Sequence, residues 1–119
     1  MKAILQELNE TISARGSLVV ARDGMLVAAE VCDGVDVERL SALGAALVTE
    51  VGTSLRRAGM NDFTHVEIAA EHGKVVLAEA GPIYLMVLIG ARLEIGHGSI
   101  EIQSAANRLV RAANLTPTE

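Results

Sequence analysis

The sequence predicts an α/β domain of the α+β kind, in the order α-β-β-α-β-β-β-α. The expected architecture is a five-stranded antiparallel sheet with one long helix on one face and the two terminal helices on the other. Three observations lead there. Asp23-Gly24 stands between two short aliphatic runs, a strong local hairpin signal. A long amphipathic stretch, about 36–57, separates that hairpin from a second strand-rich region. Ile83–Ile89 is an unbroken apolar run, and a strand of that kind needs both faces covered. Helices on both sides of one sheet make a compact three-layer solution. With 119 residues the chain has the size of one domain, assigned to residues 1–119.

The elements follow in order. Ile4, Leu5, Leu8 and Ile12 recur at helical spacing and predict a helix over 2–13, with Gly16 ending it. Ser17–Arg22 and Met25–Glu30 are the hairpin strands. A type I′ turn at Asp23-Gly24 asks for positive φ at both central residues, which Asp and Gly tolerate best. After the polar loop Asp33–Asp36, Asp36 is placed to cap the long helix. Its apolar stripe is Leu40, Leu43, Gly44, Leu47, Val48, Val51 and Leu55, and Gly59 closes it. In Thr64–Glu71, Val66, Ile68 and Ala70 point one way and His65, Glu67 and Ala69 the other. This strand reads as an exposed edge. His72-Gly73 and Gly81-Pro82 are the turns that lead to strands at Lys74–Ala80 and Ile83–Ile89. Gly96-His97-Gly98 breaks the chain. Ser99 is placed to cap a last helix over 99–113, with Ile102, Ala106, Leu109, Val110 and Ala113 turned inward.

Composition excludes several functions. The formal net charge is −5, and Arg56-Arg57 is the only adjacent basic pair, so no basic surface forms for a nucleic-acid backbone or an anionic membrane. Phe63 and Tyr84 are the only aromatics, too few for a base-stacking platform. No stretch approaches the ~20 apolar residues of a membrane span, and residues 1–12 lack the apolar run of a secretory signal. Cys32 is the only cysteine, which precludes an intrachain disulfide and fits a reducing cytoplasm.

Catalytic and metal chemistry find no pattern. His65, His72, His97 and Cys32 do not stand at zinc-site spacings, and surface or turn histidines are the simpler reading. Gly96-His97-Gly98 lacks the Lys-Ser/Thr end of a phosphate loop, and no Gly-x-Ser-x-Gly elbow occurs. Cys32 has no histidine beside it in sequence. Glu67 and Glu71 fall on one strand face and solvate it. Arg56 and Arg57 suit the negative end of a helix dipole better than an arginine finger. No cofactor is implied.

The chain resembles the roadblock/dynein-light-chain superfamily. The resemblance is carried by Ala14-Arg15-Gly16-Ser17-Leu18-Val19-Val20-Ala21-Arg22-Asp23-Gly24, similar to the family's opening loop, strand and turn. It is carried also by Leu40-Ser41-Ala42-Leu43-Gly44-Ala45-Ala46-Leu47, by Gly81–Ile89, and by Leu93-Glu94-Ile95-Gly96 before an alanine-bearing helix. The order and spacing of these stretches span essentially the whole chain. The resemblance implies a homodimer joined sheet edge to sheet edge, and an adaptor or regulator of a small Ras-like GTPase. It transfers no catalytic residue. The small side chains of Gly44, Ala45 and Ala46 suit either a second helix or close packing on the chain's own sheet. The resemblance favours an interface, and the expected contact residues are Ala42, Gly44, Ala45, Ala46, Thr49, His65 and Glu67. The rival functions are a purely structural subunit of a cytoplasmic complex and a small-molecule sensor.

Overall fold

The computed structural model describes residues 1–90 and 98–115, with side chains to residue 113. Its elements are α1 (Lys2–Ile12), β1 (Gly16–Ala21), β2 (Leu26–Val31), α2 (Val37–Arg57), β3 (His65–Ala70), β4 (Gly73–Ala80), β5 (Ile83–Gly90) and α3 (Gly98–Leu115). The order is the one the sequence predicts. The strands form one antiparallel sheet, β2-β1-β5-β4-β3, with β2 and β3 at its edges.

β5 explains its own composition. It lies between β1 and β4, and its side chains alternate between two cores. Leu85, Val87 and Ile89 join Leu5 and Leu8 of α1 and Ile102, Ala106 and Leu109 of α3 on one face. Tyr84 and Met86 join Leu18, Val20, Leu77 and Val48 of α2 on the other. Burial on both faces removes the need for polar alternation. Burying each large aliphatic side chain contributes about 1.5–3 kcal/mol.

Helix termini follow local chemistry. The Asp36 carboxylate accepts from the Arg39 N–H at 3.1 Å, capping α2 as the sequence indicates. At the other end Gly59 takes φ +78°, and the N–H groups of Gly59 and Met60 donate to Arg56 and Leu55 carbonyls at 3.0 and 2.9 Å. That is a Schellman closure. α1 ends earlier than expected. Ser13, not Gly16, takes the left-handed conformation (φ 54°), and Gly16 is already the first residue of β1. There an added Cβ would lie 2.7 Å from Val31 Cγ1, so Gly16 serves close strand approach. Ser99 lies inside α3, so it is not the cap. His97 and the Leu93–Gly96 stretch lie outside the described residues.

Two turns differ in detail. Only Gly24 has positive φ at the first hairpin (φ 89°), and its N–H donates to the Ala21 carbonyl at 3.0 Å. Arg22-Asp23 therefore turn with ordinary φ and Gly24 completes a three-residue loop, in place of the two-residue I′ turn. The strand register shifts by one between Val19 and Val20 just beyond it. At β3–β4, Ala70 pairs with Gly73, so Glu71-His72 form the turn and Gly73 belongs to the strand.

Candidate functional site

The helices cover the two faces of the sheet unequally. α1 lies against β1 and β2 while α3 lies against β4 and β5, so the first face is covered nearly edge to edge. α2 packs on β1 and β2. On that second face Val66, Val75 and Leu88 meet the core only partly, and Ile68, one repeat along from Val66, is also half-buried. Among the described residues no strand lies beside the outer edge of β3. An aliphatic strip thus runs from the flank of α2 out to an open edge.

α2 is small where it meets the sheet. Its buried residues are Ser41, Gly44, Val48 and Gly52. A Cβ on Gly44 would stand 2.7 Å from Met86 Sδ, so the missing side chain is what lets α2 approach β5. Ala45 is half-buried, and its Cβ lies 3.0 Å from where a Cβ on Gly24 of the hairpin would stand. Gly44 and Ala45 therefore serve the chain's own packing and do not face outward. Ala42, Ala46 and Thr49 lie on the exposed side of α2, joined by Leu43, which is 39% exposed and so stands off the core stripe it was assigned to.

His65 and Glu67 are exposed on β3 but face the opposite side of the sheet from α2. They line a groove of about 220 Å³ with Val76, Ala78, Ser99, Ile102 and Gln103. Glu67 holds the Lys74 ammonium at 3.4 Å. The seven expected contact residues are thus divided between the two faces and the interior of α2. The half-buried Val66, Ile68, Val75 and Leu88 were not among them. Their only sequence signal is the apolar half of an alternating edge strand, which looks the same whether or not a helix covers it.

Other charged groups have local partners. Arg56 pairs with Asp62 at 3.1 Å and donates to Thr53 Oγ1 at 3.4 Å. Gly52 makes room for that loop, since a Cβ there would meet Asp62 Oδ1 at 2.9 Å. Arg108 pairs with Glu7 at 2.9 Å, tying α3 to α1. Burial raises the Tyr84 pKa above its usual 10.0, opposed by the Arg22 guanidinium, which lies 5.1 Å from the ring centre. Cys32 is an exposed free thiol. Among the described residues no group of three His, Cys, Asp or Glu side chains could hold a metal. No described helix is long and apolar enough to cross a membrane.

Comparison with known proteins places this architecture. An uncharacterised protein of Methanocaldococcus jannaschii is 32% identical over 106 residues, covering 89% of this chain and 93% of that one. Among solved structures, Myxococcus xanthus MglB superposes with a TM-score of 0.89 at 20% identity, covering 94% of this chain and 93% of that chain. A Roadblock/LC7 domain from Streptomyces avermitilis gives 0.86 at 17% identity, with 98% of each chain covered. The gliding protein MglB of Thermus thermophilus gives 0.88 at 19% identity, with 97% of this chain and 89% of that chain covered. At these identities the structures show the fold. The Roadblock/LC7 domain model matches residues 1–89, and the chain belongs to that family.

Proposed function

We propose that this chain is a homodimeric, non-enzymatic regulator or adaptor that works in the cytoplasm by binding a small Ras-like GTPase. The observation that carries the reading is the aliphatic strip beside the open β3 edge. Exposed strand edges are paired or covered in stable proteins, and apolar strips of this kind mark interaction sites. A second copy supplies both a strand for the edge and a helix for the strip. The outer side of α2, with Ala42, Ala46 and Thr49, then remains for the GTPase. The MglB structures it resembles support the regulator class.

The chain acts by shaping or holding the GTPase, without donating a catalytic group. Arg56 is engaged with Asp62 and Thr53, and no described cluster forms a metal site.

The test has two parts. Light scattering at micromolar concentration is expected to give the dimer mass. Purified Ras-like GTPases of the source organism, loaded with GDP or a non-hydrolysable GTP analogue, are then titrated against the chain. One of them is expected to bind with a preference for one nucleotide state. A dimer that binds none in either state would favour the structural-subunit function instead.

A further inference from the structure

α1 and α3 lie side by side on the first face of the sheet. A Cβ on Gly98 would stand 3.8 Å from Ile12 Cδ1, and further along Arg108 pairs with Glu7 at 2.9 Å. The two helices therefore run antiparallel, and Thr11 comes beside the turn that holds Glu101 and Ser104. Between the helices runs a groove of about 220 Å³.

Glu101 is the member of this groove that its own chain does not explain. It is half-buried, and its Oε2 is the one buried side-chain oxygen or nitrogen among the described residues with no hydrogen-bond partner. None of the ion pairs among the described residues engages it. A carboxylate in the first turn of α3 gains from the helix dipole, but the dipole asks only for charge near the helix end, not for a buried oxygen. Burying a charged acceptor without a donor is costly, and such an atom in a native chain calls for a donor from outside it. A water could supply the hydrogen bond but not the charge. Glu7 is balanced by Arg108, which leaves the groove one uncompensated negative charge at Glu101.

The surroundings define the donor. The Thr11 hydroxyl gives its proton to the Glu7 carbonyl at 2.8 Å, so its lone pairs remain to accept. Ser104 is exposed on the same face of α3, one turn beyond Glu101. Three oxygens gathered near one point suit an ammonium, a compact head with three donors. A guanidinium needs two coplanar carboxylate oxygens for its fork. Ile4, Leu8 and Ala105 line the groove with methyl groups, which suits an alkyl stem. Ile100, 76% exposed, carries that apolar wall onto the outer surface. A free amine would leave it in water, whereas a protein surface delivering the amine covers it.

We propose that the α1–α3 groove binds a primary alkylammonium group, supplied by a lysine side chain on the surface of a protein partner. The ammonium is held at Glu101 Oε2, with Thr11 and Ser104 as the further acceptors.

The test is a ¹⁵N NMR titration of the full chain with Nα-acetyl-lysine methylamide. Saturable shifts are expected at Thr11, Glu101 and Ser104, with a Kd on the order of 1–10 mM for a ligand of this size. Acetylating the probe's ammonium removes its charge and should weaken binding at least about tenfold. Glu101→Met is similar in shape and apolar. It should abolish the shifts and leave the urea midpoint unchanged or raised, because an unpaired buried oxygen is gone. Ser104→Ala, at an exposed position, should weaken binding about threefold to tenfold without loss of stability. A lowered midpoint in Glu101→Met would show that the chain itself holds the carboxylate, and would overturn the proposal. So would shifts that survive in Glu101→Met, undiminished binding in Ser104→Ala, or no saturable shift in the unmodified chain. Spermidine, titrated alongside, should bind no more than about tenfold tighter than the lysine probe. A larger margin would make a free polyamine the occupant and overturn the protein source.

Discussion

Gly44→Ala separates packing on the chain's own sheet from a role in partner contact. The new Cβ would stand 2.7 Å from Met86 Sδ and 3.6 Å from its Cε. Met86 is fully buried at the middle of β5, so the thioether has to move within a filled core. Overpacking of this kind costs about 1–3 kcal/mol, while replacing a mid-helix glycine by alanine returns about 1 kcal/mol of helix propensity. The net expectation is a loss of up to ~2 kcal/mol, or a urea midpoint lowered by up to ~1 M at an m-value of about 2 kcal/mol/M. Urea unfolding followed by circular dichroism, at one fixed protein concentration, reads this directly. Met86→Ala alone should cost about 2–5 kcal/mol through its cavity. In that background Gly44→Ala should cost nothing or stabilise, giving a coupling of about 0.5–3 kcal/mol. An unchanged midpoint combined with a weakened dimer, and no coupling to Met86, would refute the packing role.

Asn9→Ala should destabilise by about 1–3 kcal/mol in the same assay, because Asn9 Oδ1 accepts from the fully buried Ser17 hydroxyl at 2.8 Å and its loss leaves that donor only Leu5 O at 3.5 Å. Arg56→Ala should cost at most ~1 kcal/mol of stability and change a bound GTPase's single-turnover hydrolysis less than tenfold, since its ion pair with Asp62 is a surface one and a true arginine finger contributes ~10³–10⁵. Ala46→Arg, on the exposed side of α2, should weaken GTPase or dimer affinity about tenfold or more in a binding titration while the far-ultraviolet spectrum stays unchanged. Tyr84 is the only tyrosine and there is no tryptophan, so absorbance at 295 nm should show one phenol titrating above pH 10.0. The folded pKa is raised, so the unfolded chain ionises first. Stability from this group is present below pH 10 and falls as pH rises through the folded pKa.

Architecture was legible because period and burial agree. β5 is apolar throughout since both its faces are covered, and the Asp36 cap and Gly59 closure obey local hydrogen-bond chemistry. Turn types were less legible, because Asp23-Gly24 suits a two-residue I′ loop and a three-residue loop equally well. The bridge to β2 settles between them through a one-residue register shift. The contact residues divided for a different reason. Glycine and alanine on a helix fit any close approach, and only the position of Met86 shows that Gly44 faces inward. Ala42 and Ala46 have the same composition and face outward. The half-covered strip at Val66, Ile68 and Val75 depends on where α2 crosses the sheet, a tertiary fact that no local pattern encodes.

The two rims of the sheet are not equivalent. β2 carries the register shift beside its hairpin, so an incoming strand meets an irregular ladder there. β3 pairs without a shift along its whole length. Strand addition at one rim only is self-limiting. If two copies pair through β3, the contact consumes the regular rim of each copy and presents the irregular β2 rim at both outer ends, and assembly by strand addition is expected to close at two copies without propagating into a fibre.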